Sequence, residues 1–315
     1  MSQKQKGIAT AGQITTYAAL QLDCQYRTHV FSVLIVRDYA RLIRWDRSGA
    51  IVTAPIFYQR EPELMDFFTR YDQAARHLRG HDDSVRRATP GETQKAVCAH
   101  DDFYTSQGLL VVTVPHQDGK SCGEYVIKPP VARFNTPPGR ATRTSIAYDI
   151  HRDRVVFFKD SWRVNYEGIM REGETYKLLN DALICNIPHC SASGDVGEDT
   201  YHSTRTDQFT GEPWVLASST PDFTPHRHHR LILDDIGKRL ETFRCSRDMV
   251  RAILAALIGA YPAYFMFVDH RLTVTSSSRR LREVRGPSSR HQCQQHTING
   301  VLPLWRWASH RLGPL

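Results

Sequence analysis

Lys159 closes a run of four apolar residues, Val155 to Phe158, and Glu174 follows fifteen residues later within EGETYKLL, residues 172–179. Such a run suffices for a buried strand, which would hold the lysine ammonium at the rim of a cleft. A carboxylate on a following helix would orient that ammonium toward phosphate oxygens, the positioning half of phosphoryl transfer. Leu178 falls one turn after Glu174 on the same helix face. Asp160 emerges from the opposite face of the strand and is expected to be structural. A lysine and a glutamate at this separation are common, so an ion pair that only stabilises the fold is the competing reading.

The surrounding segments are more specific. YDIHRDRVVFFKDSWR, EGETYKLLND, HRHHRLILDDIGKRL and the upstream YRTHVFSVLIVRDYARLIRWDRSGAIV together resemble the fungal-type protein kinase family, over residues 14–85 and 135–260. The resemblance implies an α+β chain with a protein-kinase-like small lobe, an antiparallel sheet plus the glutamate helix. It also implies ATP-dependent phosphorylation of protein Ser/Thr, with ATP and Mg as cofactors. Lys159 then matches the strand lysine and Glu174 the helix glutamate. Leu233, Asp234, Asp235, Ile236 and Gly237 match the hinge, where adenine would bond to the backbone. The implied nucleotide-binding set is Lys159, Glu174, Gly139, Asp234, Asp235 and Ile236.

A kinase also needs H-R-D with an asparagine five residues after the aspartate, and then D-F-G, to position the hydroxyl and the metals. Neither follows the hinge in this sequence. His151-Arg152-Asp153 precedes the lysine strand, its fifth following residue is Phe158, and it reads as the turn of a β-hairpin. Asp222-Phe223-Thr224 precedes the hinge, lacks the glycine and sits between Pro221 and Pro225, as a loop would. The expectation is therefore a catalytically incomplete relative of the family, truncated or altered before its catalytic loop, that retains Lys159 and Glu174 as an ion pair. A pseudokinase acting as a protein-interaction scaffold is the alternative.

GRATRTSIAYD, from Gly139, stands where a glycine-rich phosphate loop belongs but supplies one glycine. Backbone amides approach phosphates closely only where side chains do not intervene. Arg140 and Arg143 either neutralise phosphate charge or are solvated residues on a strand edge. Two clusters raise the question of a metal: Cys185, His189 and Cys190, then His226, His228 and His229. Neither has paired zinc-ligand spacing, and no metal is expected at either. His228 and Arg230 should instead alternate with His229 and Leu231 across the two faces of a strand.

The 315 residues are 41% hydrophobic and 23% charged, which suits one or two globular domains. Seven cysteines and a polar start, MSQKQKGIATAGQ, point to a reducing intracellular compartment, cytoplasmic or nuclear. The net charge of +8 comes almost wholly from residues 270–315, with eight Arg and one acid, Glu283. The resemblance ends at Ala260, as though this tail came from read-through or a displaced reading frame. A disordered terminus is favoured there over a patch for nucleic acid or anionic lipid, although Trp305 and Trp307 could stack on bases. Ala252–Val268 is a 17-residue uncharged run at the lower limit for a bilayer. A buried helix followed by an unrelated apolar stretch is preferred, with membrane attachment as the alternative.

The expected organisation is a disordered start over 1–13 and an accessory α+β subdomain with loops over 14–134. Kinase-like small-lobe, hinge and first carboxy-lobe segments would fill 135–260, and the divergent segment 261–315. Within the accessory part, 14–26 reads as a helix, and His29–Val36, Ala40–Trp45 and Ala50–Phe57 as strands, with Arg47-Ser48-Gly49 as a turn. Pro62 opens an amphipathic helix through Tyr71, and 77–98 reads as a linker or loop.

Overall fold

The structure is a computed structural model and describes residues 3–132, 136–197, 202–215 and 223–282; for 3–6, 8 and 265–282 only the backbone is described. Asp222 and the Arg-rich tail from residue 283, including Trp305 and Trp307, lie outside these residues. The described chain is α+β, with five helices and ten strands in two antiparallel sheets. It forms two compact units. Among the described residues, one holds those up to Glu174 and Cys190–Ile236, and the other Thr175–His189 and those from Gly237 to residue 282.

The first sheet contains β1 (Val30–Val36), β2 (Tyr39–Trp45) and β3 (Ala50–Val52) in that order. Helix α1 (Gln3–Cys24) lays Ala18 and Leu22 against Val30, Ile43 and Trp45. The helix begins within the stretch expected to be disordered, because Gln, Lys and Ala carry enough helix propensity to extend it backwards from its packed end. The turn after β2 is closed by Asp46, whose Oδ1 accepts from the Ser48 amide at 2.9 Å. Helix α2 (Glu63–Gln73) begins after Pro62 as its spacing predicts.

The second sheet has seven strands, β4 (Val85–Arg87), β5 (Leu110–Pro115), β6 (Cys122–Ile127), β7 (Arg143–Asp149), β8 (Arg154–Val164), β9 (Cys190–Asp195) and β10 (His226–Leu233). Their order is β4-β5-β6-β7-β8-β10-β9, so three strands precede residue 135. The segment 77–98, read as a loop, supplies β4 and most of α3 (Pro90–Ala99). Helix α3 starts on a capping box in which Thr89 and Glu92 satisfy each other's backbone amides. The sheet curls until β9 reaches β5, where a Cβ at Gly194 would come within 2.7 Å of the Pro115 ring. Its concave side encloses Val112, Val114, Tyr125, Ile127, Val156, Phe158 and Ile232, while the other side packs Val111, Val126 and Tyr148 under α3 and Phe103. The period-2 alternation of β8 thus sends Phe158, Asp160 and Trp162 inward and Lys159 outward.

Helix α4 (Glu172–Asp181) lies in the chain between β8 and β9. Helix α5 (Ser246–Arg282) continues through Pro262. Val250, Ile253, Leu254, Leu257, Ile258 and Tyr261 are exposed on it, so the expected buried helix is instead open to solvent. No helix among the described residues is long and apolar enough to cross a membrane.

Candidate functional site

On the outer face of β8, Lys159 Nζ donates to Glu172 Oε1 at 2.6 Å and Oε2 at 2.8 Å. Both side chains are about a quarter exposed, at 23% and 26%, so the ammonium is reachable from solvent. Glu174 does not make the expected pair. It is the third residue of α4, and its Oε2 accepts from the Arg171 amide at 3.0 Å, capping the helix start. Glu172, the first residue of α4, is left to face the sheet. Gly173 between them permits the approach, because a Cβ there would overlap the Ser193 side chain on β9.

The same face carries a second set of charges. Arg163 donates to both oxygens of Asp195 at 2.8 and 2.7 Å, and His229 Nδ1 lies 3.0 Å from Asp195 Oδ1. Burial opposes charge on Asp195, but these two partners outweigh it and hold the carboxyl well below the usual carboxylate range. Arg140, mostly exposed, places a guanidinium nitrogen 3.9 Å from Glu172.

Arg143 is half-buried rather than solvated on a strand edge. It donates to the Leu22 and Asp23 carbonyls at the end of α1 and stacks 4.9 Å from the Tyr26 ring. Buried Arg47 joins it, donating to Leu22 O at 3.3 Å and Pro137 O at 3.0 Å. Two cations thus satisfy the carbonyl end of α1. Gly139 has φ +119°, and its amide already donates to the Arg47 carbonyl at 2.9 Å.

The inner face of β8 and β10 holds a buried polar cluster. Arg230 Nε donates to Asp160 Oδ2 at 2.9 Å, and its Nη2 to Asp82 Oδ2 at 2.7 Å. Its Nη1 reaches Thr113 O at 2.9 Å and Ser84 Oγ at 2.7 Å. His228 Nε2 lies 3.0 Å from Asp160 Oδ2, with its ring stacked 4.9 Å from that of Trp162. Burial works against the charge of Asp160, yet His228 and Arg230 together hold its carboxyl far below the usual range. Asp82 is likewise lowered, burial again being overcome by Arg230 and His228.

Among the residues the sequence singles out, Lys159 therefore stands at an accessible ion pair, and Glu174 belongs to the helix cap. Asp234 accepts from Arg154 at 2.5 Å just beyond β10, and Ile236 is partly exposed. The H-R-D turn joins β7 to β8, with Asp153 accepting from the Tyr148 hydroxyl at 2.6 Å. Sequence reasoning missed Glu172, Asp82 and His202. Glu172 carried one signal, an acid at the first position of a helix, where the dipole favours it.

ATP and Mg are what a kinase relationship implies, and the outer face fits them unequally. Lys159 and Arg140 offer accessible positive charge for a polyphosphate. The Gly139 amide is occupied, which removes it from a phosphate cradle. Glu172, Glu174 and Asp195 are each matched by a basic side chain, so the carboxylates of this face do not form a magnesium site.

The family model described as fungal protein kinase matches residues 1–266, a span that also takes in the start of the chain and residues 86–134. No curated protein and no solved structure matches the chain. On a match over most of its length, this chain belongs to the fungal protein kinase family.

Proposed function

We propose that β6 to β10 with α4 form a kinase small lobe that holds the phosphates of a nucleotide at Lys159, with Glu172 orienting the ammonium, and that this chain does not itself complete phosphoryl transfer. The observation that carries the reading is the Lys159–Glu172 pair at 2.6 Å, joining a strand to the helix that follows it. The strand order supports it. Three sequential strands are followed by a helix and two more strands, with β10 inserted between β8 and β9. That is the arrangement expected of a kinase small lobe.

Inactivity rests on the sequence after the hinge, which has no H-R-D with its asparagine and no D-F-G. When bound, a nucleotide would bring a transferable phosphoryl group. Lys159 would neutralise and orient its phosphates, and Arg140 would add charge at the rim. The purified chain should show a rise in melting temperature with ATP that Lys159→Met removes, and no label transfer from ATP to a generic protein substrate. Transfer by the wild-type chain that Lys159→Met abolishes would refute the inactive part. An ATP shift equal in the variant would refute the site.

A second reading, a protein-interaction scaffold, is favoured by the exposed apolar residues Val250, Leu254, Leu257, Ile258 and Tyr261 on α5. Stabilisation by a defined partner protein with none by ATP would support it over the first.

A further inference from the structure

We propose that Asp82, His202 and His228 form a binding site for a divalent transition-metal ion, zinc by its ligand chemistry, on the inner side of the second sheet. The inference does not depend on the nucleotide reading. The three side chains come from the segment before β4, the segment after β9 and the strand β10. One ligand atom from each lies within 4.8 Å of the other two, and all three side chains are shielded from solvent.

The two imidazoles are brought together through their Nδ1 atoms, 3.1 Å apart. Two nitrogens bound to one tetrahedral zinc at about 2.0–2.1 Å would stand about 3.3 Å apart. Asp82 places one oxygen 3.9 Å from His228 Nδ1, so a shift of well under 1 Å closes that side; its other oxygen lies 3.8 Å from His202 Nε2, across the ring from Nδ1, so the His202 ring has to turn to offer one nitrogen to the ion. Two imidazoles and a carboxylate match the ligand preferences of zinc, with a fourth position left for water.

Asp160 is the independent observation that points to a metal. Its carboxylate accepts from His228 Nε2 at 3.0 Å, which puts the proton on Nε2 and leaves the Nδ1 lone pair directed at His202. A carboxylate behind a ligating histidine is the usual outer support of such sites, setting both tautomer and ring orientation. Trp162 stacks on the opposite side of that ring, with planes 4° apart, and fixes it further. Arg230 bridges Asp82 and Asp160, so both carboxylates are held in place from behind. An ion here would tie residue 202 and the entry to β4 to the centre of the sheet.

Cobalt(II) is the probe. The full chain, stripped with a chelator and desalted, is titrated with Co2+ and Zn2+ while visible absorption, bound metal and melting temperature are followed. The expected result is one equivalent of tightly held metal with a tetrahedral cobalt spectrum and no thiolate charge-transfer band, since no cysteine is a ligand. Zn2+ should raise the melting temperature. His202→Ala, which leaves the Asp82–Arg230–Asp160 bridge in place, should weaken binding at least about tenfold, and Asp160→Asn by about 10–100-fold. Absence of stoichiometric metal in the folded wild-type chain would show that the histidines only share a proton, and would overturn the proposal. Undiminished binding in His202→Ala, or a thiolate band, would place the metal elsewhere and overturn it too. If His202→Ala does not fold, the wild-type cobalt spectrum and stoichiometry still decide.

Discussion

Lys159 Nζ lies 2.6 Å from Glu172 Oε1, whereas Glu174, two residues further along the helix, turns back to the Arg171 amide. Glu172 thus takes the place beside Lys159 that the family resemblance implied for Glu174. A double-mutant cycle on stability separates them. Lys159 and Glu172 should couple by about 0.5–1 kcal/mol, as a partly exposed pair does. Lys159 and Glu174 should be additive within about 0.3 kcal/mol. Equal coupling for both would contradict the geometry.

Arg230 neutralises Asp82 and Asp160, and all three side chains are buried. Arg230→Met should therefore cost about 3–5 kcal/mol of unfolding free energy, because it strands two buried carboxylates. Adding Asp82→Asn and Asp160→Asn should recover part of that loss. Urea unfolding followed by circular dichroism measures both, and a loss under 1 kcal/mol would show the bridge to be dispensable.

His29 should make the fold acid-sensitive. Its Nε2 meets the Leu78 carbonyl at 3.1 Å and its Nδ1 the Thr28 hydroxyl at 3.0 Å, an arrangement that suits the neutral ring. Burial, reinforced by the nearby Arg44 charge, lowers its pKa to about 4. The unfolded chain takes up this proton first, near its ordinary value of about 6.5. The contribution is complete above about pH 6.5 and is lost as pH falls from there toward about 4, amounting to a few kcal/mol at most. In His29→Gln, the slope of stability against pH across this window should flatten. An unchanged slope would exclude His29 as its source.

Gly173→Ala tests the contact between α4 and the sheet. Alanine gains up to about 1 kcal/mol of helix propensity over glycine, but here its Cβ would overlap Ser193. Overpacking should win, with a net loss of about 1–3 kcal/mol. Ser193→Gly in the same chain should restore stability. Thermal unfolding reports the balance, and a stabilised single variant would show that α4 moves freely over β9.

Much of the fold was legible where the signal was local. The turn at Arg47-Ser48-Gly49 and the helix after Pro62 appeared where residue types placed them. The segment 77–98 was misread because its polar composition hid a capping box, Thr89 to Glu92, behind the look of a loop. The continuation of the sheet through β4, β5 and β6 was also missed, since pairing between strands leaves no mark in the composition of either. The resemblance implied Glu174 as the partner of Lys159, whereas Glu172 takes that place, because a shift of one or two residues at a helix start changes which carboxylate faces the strand.

The sequence by itself determined that Lys159 and Asp160 point to opposite faces, and His228 and His229 likewise, because the strand repeat is two residues and needs only the local chain. Tertiary structure alone decided what each of them meets. Arg230 lies 148 residues from Asp82, and His228 is 26 from His202, and these partners converge only because the sheet curls far enough to bring β9 back against β5. Twist and closure accumulate over every strand pair in the sheet, so no short stretch of residues encodes where they end.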